Sequence, residues 1–99
     1  MIIRIVKMHF RTEETNAFIK LFESVKSKIA AQEGCEGVKL IQDVSCSDVF
    51  FTLSHWKTPE HLEMYRNSEL FATTWSTTKA MFKEKAKAWS TSELSAAGF

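Results

Sequence analysis

The sequence is poor in residues on which several classes of protein depend. It holds two cysteines, three glycines and one proline in 99 residues. The cysteines, Cys35 and Cys46, are too few for a disulfide scaffold and lack paired metal-ligand spacing, so we expect both to be reduced. Three scattered glycines leave no loop to cradle a phosphate or dinucleotide, and no Gly-x-Ser-x-Gly elbow occurs. We therefore expect no flavin, nicotinamide or metal cofactor.

Excess charge and long apolar runs are lacking too. The formal net charge is +1, so no global field would attract nucleic acid or an anionic membrane. The one basic cluster, residues 79–87, is interrupted by Glu84 and is better explained as a solvated face. The apolar start of the chain is broken by Arg4 and Lys7, and no later run approaches a membrane span. We expect a cytoplasmic protein with neither nucleic acid nor membrane as partner.

The composition of the chain is typical of one folded domain. Hydrophobic residues make up 44% of the chain and charged residues 25%, without repeats or a low-complexity linker. This predicts a single domain over residues 1–94, followed by a disordered tail at 95–99.

The first half of the chain alternates between strand and helix patterns. Residues 2–10 are rich in β-branched and apolar side chains, which predicts a strand buried on most of both faces. Thr12 is a candidate N-cap for a helix over residues 13–31 that ends before Gly34. Its apolar residues fall on one stripe at helical spacing: Phe18, Leu21, Phe22, Val25 and Ile29. Residues 37–44 and 48–56 predict two strands joined by a short polar turn.

The second half predicts a broken helix and a last strand. Thr58 and Pro59 mark a helix over residues 59–66, which breaks near Asn67 and continues from a Ser68 cap over 68–82. Residues 86–92 fit a short strand or a frayed helix, and we favour the strand. The resulting order is a ferredoxin-like split βαβ arrangement. It is an α+β fold with a four-stranded antiparallel sheet and both helices on one face.

The helices of such a fold leave one sheet face without cover. The first and third predicted strands are apolar on both faces, and a contiguous apolar patch of that size is rarely left in water. At roughly 25 cal/mol per Å² of buried apolar surface, covering it is worth many kcal/mol. A second copy of the chain is the simplest cover. We therefore expect a homodimer whose two sheets face each other.

Four segments are distinctive in combination: residues 2–8 (IIRIVKM), 34–37 (GCEG), 55–57 (HWK) and 65–71 (YRNSELF). With them the chain resembles the antibiotic biosynthesis monooxygenase family, over nearly its whole length. The resemblance implies a dimeric α+β barrel. Some members of that family oxidise aromatic quinols without metal or flavin, and another branch degrades haem. At the approximate positions of the haem branch's Asn, Trp and His, this chain has Lys7, Tyr65 and Trp75, so haem degradation is not expected.

A pocket between sheet and helices is implied by the same resemblance, and several residues are candidates to line it. Trp56 and Trp75 offer flat walls for an aromatic ligand, with core packing as the alternative for each. Tyr65 can donate a hydrogen bond to a carbonyl or phenolate, or simply pack on the sheet. Lys7 and His9 share a strand face, and we take His9 as the candidate catalytic base ahead of the other histidines.

Two functions follow as hypotheses. The first is a cofactor-independent monooxygenase acting on a small aromatic or quinol-like molecule. The second is a non-catalytic small-ligand binder or sensor on the same barrel, because one fold hosts many functions. A cavity on the order of 300 Å³, enough for a ring system, would favour the enzyme.

Overall fold

The computed structural model describes residues 1–98, which form one antiparallel sheet and three α-helices. The sheet order is β2-β3-β1-β4. This confirms the ferredoxin-like prediction, with both halves of the broken helix present. The elements are β1 Ile2–Phe10, α1 Thr15–Ala30, β2 Cys35–Gln42, β3 Val49–Trp56, α2 Pro59–Arg66, α3 Glu69–Lys79 and β4 Phe82–Ser92.

The core lies where α1 packs on the centre of the sheet. Met8 and Phe10 of β1, Phe50 of β3, and Phe18 and Phe22 of α1 form one buried cluster. The Phe10 and Phe18 rings stack with their centroids 4.3 Å apart. Burying each such side chain stabilises the fold by about 1.5–3 kcal/mol, so this cluster fixes the helices to one face of the sheet.

Side-chain caps set where α2 and α3 begin. The Thr58 hydroxyl accepts a hydrogen bond from the His61 amide at 3.2 Å, and Ser68 accepts one from the Phe71 amide at 3.1 Å. The predicted Ser68 cap and the predicted helix start at Thr58 and Pro59 are both confirmed. The predicted Thr12 cap is wrong, because its hydroxyl donates to Asp48 Oδ2 at 2.7 Å. A short 3₁₀ turn over Thr12–Glu14 precedes α1 instead.

The boundary between α3 and β4 differs from the prediction. We expected helix up to residue 82 and a strand from 86, whereas α3 ends at Lys79 and β4 begins at Phe82. Phe82 pairs with Phe10 across the sheet, and their ring centroids are 5.3 Å apart. Arg11 Nη1 also donates to the carbonyls of Ala80 and Phe82, at 3.0 and 3.2 Å. These tertiary contacts outweigh the local helical pattern.

The sheet face away from the helices is called the open face. Its central row is Ile5 of β1 with its partners Leu53 of β3 and Trp89 of β4. The rows on either side are Ile3, His55 and Thr91, and Lys7, Phe51 and Lys87. The apolar side chains here are only partly buried, and Trp89 is 47% exposed. The uncovered apolar face that the sequence predicted is therefore present.

The chain after β4 has no regular secondary structure over residues 93–98. Ser95, Ala96 and Ala97 lie beside Ile3 and Leu53, where they border a depression of the open face. The disorder expected for residues 95–99 stays a prediction, and Phe99 lies outside the described residues.

Candidate functional site

A cavity of about 320 Å³ lies between the sheet and the helices. Its apolar walls come from the inward stripe of α1 and from α2 and α3, and its floor comes from alternate residues of β1, β3 and β4. The volume reaches the size that a ring system requires. A small aromatic molecule therefore fits the space that the core leaves free.

One wall is a continuous row of aromatic rings, called the aromatic row. It runs from Trp56 through Tyr65 and Phe71 to Trp75, with successive centroids 5.1, 5.3 and 5.9 Å apart. Tyr65, Phe71 and Trp75 line the cavity, whereas Trp56 is fully buried behind Tyr65. Two predicted pocket residues, Tyr65 and Trp75, are thus brought together, and Trp56 supports them from the core.

One end of the cavity is polar, and its polar groups are guanidinium and hydroxyl groups. This part is called the polar end. It contains Arg4 of β1, Ser54 of β3, and Tyr65 and Arg66 of α2. Ser54 Oγ accepts a hydrogen bond from Trp56 Nε1 at 2.9 Å, which leaves its own proton free for a ligand. This end can hydrogen-bond to the oxygen atoms of an aromatic ligand.

Burial makes the phenol of Tyr65 less acidic. It raises the pKa of the phenol to about 12, with a smaller contribution from nearby Cys35. Within residues 1–98 the Tyr65 hydroxyl has no protein partner, and since no buried side-chain nitrogen or oxygen there lacks a partner, this hydroxyl is accessible. Tyr65 therefore stays neutral at physiological pH and is available as a donor.

The pKa of Tyr65 gives a direct test, because the chain contains one tyrosine. A pH titration of tyrosine absorbance in the near ultraviolet should have a midpoint at pH about 12 in the folded protein. In the denatured protein the midpoint should be at about 10. Since the folded pKa is raised, this group lowers stability as pH climbs through that interval. Ionisation near 10, while far-ultraviolet circular dichroism still shows the native fold, would contradict a buried phenol.

The structure places Lys7 and His9 away from the cavity. They alternate along β1 with Met8 and Phe10, which point into the core. Both therefore lie on the opposite side of the sheet, and the expectation that they border the pocket is wrong. His9 Nδ1 instead lies 3.4 Å from Glu84 Oε2. Within a single chain, this position gives His9 no contact with a molecule in the cavity.

Three residues of the cavity lining, Arg4, Ser54 and Arg66, were not predicted from the sequence. Arg4 and Ser54 are cross-strand partners, and Arg4 shares strand parity with buried Met8. That parity was readable in the sequence, but which face of β1 meets the helices was not. Arg66 follows Tyr65 at the end of α2, where a basic residue is normally explained by the helix dipole alone.

The cavity lacks acidic and imidazole groups. Among the described residues that line it there is no Asp, Glu or His. Residues 1–98 contain no cluster of three such side chains or cysteines placed to hold a metal ion. Cys35 and Cys46 are free thiols. No helix in the same span is long and apolar enough to cross a membrane.

Comparison with known proteins gives a consistent family and fold. The family model for antibiotic biosynthesis monooxygenase matches residues 1–76. No curated protein matches significantly. A solved structure from Nitrosomonas europaea that carries the same family name superposes with a TM-score of 0.88 at 18% identity, covering 96% of this chain and 100% of that one.

Two further solved structures share the fold. One from Deinococcus radiodurans, also named for the family, has a TM-score of 0.88 at 14% identity and covers 100% of this chain and 98% of its own. A conserved protein from Methanosarcina mazei has a TM-score of 0.86 at 20% identity, with 92% and 91% covered. At these identities the likeness establishes the fold.

Proposed function

Since the chain belongs to the antibiotic biosynthesis monooxygenase family, we propose that it is a cofactor-independent monooxygenase acting on a small aromatic or quinol-like substrate. The observation that carries the proposal is the cavity of about 320 Å³, which combines the aromatic row with fixed hydrogen-bond donors. An aromatic ring packs on the row while its oxygen substituents meet the polar end.

The proposed reaction needs no oxidant beyond molecular oxygen. In the keto tautomer of the phenol a ring carbon is CH₂, and loss of one of its protons gives a carbanion, conjugated with the ring oxygen, that transfers an electron to O₂. Recombination forms a carbon-bound hydroperoxide. Loss of water then converts the original CH₂ to C=O, so one oxygen atom stays on carbon and the other leaves in water. The two hydrogens lost from the carbon are the two found in that water.

The cavity residues support this chemistry by holding the anion. Negative charge on the substrate oxygen would be stabilised by donors that are oriented before the substrate arrives. Neutral Tyr65 and Ser54 are suited to this role, and the apolar walls keep water from the reacting carbon. Because no carboxylate or imidazole lines the cavity, the substrate in this scheme loses its proton to solvent before the cavity walls enclose the reacting carbon.

The proposal includes a homodimer, in which the open face of one chain covers that of another. Support comes from its apolar centre, where Ile5 and Leu53 are partly buried and Trp89 is 47% exposed. Pairing of two such faces leaves the helix side of each sheet, and so each cavity, free to take a ligand. The lysines beside this centre can cover apolar surface with their stems while their amines stay in water.

Filling the cavity tests the proposed site. Thr74 lines it, whereas the neighbouring Thr73 is exposed on α3. We expect metal-free protein to consume oxygen with one or more of a panel of dihydroxy-aromatic compounds. Thr74→Trp should lower that rate at least about tenfold, because an indole occupies the substrate's volume, a loss of about 1.4 kcal/mol in transition-state stabilisation. Thr73→Trp, the matched control, should retain it.

Equal rates of oxygen consumption in the two tryptophan variants would show that the reaction does not take place in the cavity. The second hypothesis, a ligand binder, is favoured by one observation, the absence of a general base from the cavity lining. Its signature would be no oxygen uptake across the panel together with clear thermal stabilisation by one compound. That stabilisation should be lost in Thr74→Trp and kept in Thr73→Trp.

A further inference from the structure

We propose that Arg4 and Arg66 form an anion subsite at the polar end of the cavity, so that the ligand binds as a phenolate or enolate. The inference rests on the proposed function for the aromatic nature of the ligand. It adds the ionisation state of that ligand and the residues that select it.

The first observation that supports an anion subsite is the environment of Arg4. Arg4 sits in the central strand β1, half-buried, with its side chain on the cavity side of the sheet. Its hydrogen-bond partner is the neutral Ser90 hydroxyl, 3.0 Å from Nη1. Within residues 1–98, no carboxylate lies within ion-pair distance of Arg4. A partly desolvated guanidinium without a counter-ion is costly, and an anionic ligand would compensate it.

The second observation is that the positive charge of Arg66 acts on the same end of the cavity as Arg4. Burial lowers the pKa of Arg4 most, and the nearby Arg66 guanidinium lowers it further, against an opposing effect of Glu63. Glu63 is bound to Arg66, with Oε2 at 3.4 Å from Nη1. Two positive groups and one negative group therefore meet here. One positive charge remains uncompensated beside the cavity.

The neutral groups of the polar end point to the same kind of ligand. Tyr65 and Ser54 each have a proton to donate, and a guanidinium has donors only. A ligand oxygen that accepts several hydrogen bonds matches this set, and an ionised oxygen accepts them most strongly. A neutral phenol could give its own proton only to the Tyr65 or Ser54 oxygen, and it would leave the guanidinium donors without a charged acceptor.

The subsite offers a way to form the reactive anion without a base on the protein. Preferential binding of the ionised form lowers the pKa of the bound phenol by one unit for each tenfold preference. Electrostatic stabilisation would thus replace general-base catalysis. Because Arg66 is partly exposed, with 44% of its side-chain surface accessible, salt should weaken the effect.

The experiment uses 4-nitrophenol, whose neutral and ionised forms have different visible spectra, with full-length protein at low ionic strength. We expect the wild-type protein to lower the pKa of bound 4-nitrophenol by about one unit, a roughly tenfold preference for the phenolate. The neutral analogue 4-nitroanisole should bind about tenfold more weakly than the phenolate. Arg4→Met and Arg66→Met should each abolish most of the shift, and Arg4→Lys should retain part of it.

Lys20→Met is the matched control, since it removes one positive charge from the exposed side of α1. It should leave the shift unchanged, and circular dichroism should confirm that every variant folds. An unshifted pKa, no binding of either form, or a shift that survives both arginine substitutions would overturn the subsite. Binding requires no turnover, so the two proposals can fail separately. Anion binding without oxygen uptake on any substrate would reject only the oxygenase, and oxygen uptake unaffected by Arg4→Met would reject only the subsite.

Discussion

Replacing Ile5 by Asp is expected to convert the protein from a dimer to a monomer. Ile5 is at the centre of the open face, between Leu53 and Trp89 on the flanking strands. In the proposed dimer the substitution removes about 1.5–3 kcal/mol of apolar burial in each copy. It also places two unpaired carboxylates in the interface, each costing several kcal/mol to desolvate. The dissociation constant should therefore rise by at least about 1,000-fold.

Sedimentation equilibrium over a range of protein concentrations measures that change. Ile19→Asp is the matched control, because Ile19 is 37% exposed on the helix side of the molecule; it should remain dimeric. Trp89→Ala should weaken the dimer while leaving the fold of each chain intact, since the indole is 47% exposed in the isolated chain. A wild-type protein that is monomeric at micromolar concentration would reject the dimer.

The sequence predicted the elements that local chemistry determines. The apolar stripe of α1, the proline at the start of α2 and the Ser68 cap each specify a helix without reference to the rest of the chain. The start of β4 could not be found in this way. Phe82 continues the helical spacing of Phe71 and Trp75, and only its pairing with Phe10 places it in a strand.

The cavity was predicted more accurately on its helices than on its sheet. Tyr65 and Trp75 face inward because an amphipathic helix has one apolar side. In β1 both faces are apolar, so strand alternation separates His9 from Met8 without saying which of them faces the helices. The structure assigns the helix side to Met8 and Phe10. The same choice of face brings Arg4 to the cavity and takes Lys7 away from it.

The position of α2 matters for the site, because this helix carries both Tyr65 and Arg66. Its first turn is held at the start of β2 through Gly34. The Gly34 carbonyl accepts a hydrogen bond from the Lys57 amide at 2.8 Å. The imidazole of His61 packs directly on Gly34, and its Nδ1 lies 2.8 Å from the Thr58 hydroxyl. Close contact between helix and backbone at Gly34 thus sets where the polar end of the cavity lies.

Gly34→Ala should consequently destabilise the fold and impair the site together. Gly34 has φ +79, and a Cβ there would overlap the imidazole ring of His61. The left-handed backbone costs alanine about 1–2 kcal/mol, and forcing the helix aside adds about 1–3 kcal/mol. Urea denaturation should show a loss of at least about 2 kcal/mol, beyond any gain from a stiffer unfolded chain.

Gly37→Ala separates the two causes of that loss. Gly37 also has a positive φ, +148, but a Cβ there meets nothing within 4 Å. Its alanine variant should suffer only the backbone cost, and binding of 4-nitrophenol should be preserved. In Gly34→Ala the displaced α2 should weaken that binding even in urea-free buffer, where most molecules are folded. Equal stability losses in the two variants would mean that the His61 side chain moves aside at little cost. If ligand binding is also retained in both variants, Gly34 does not position the site.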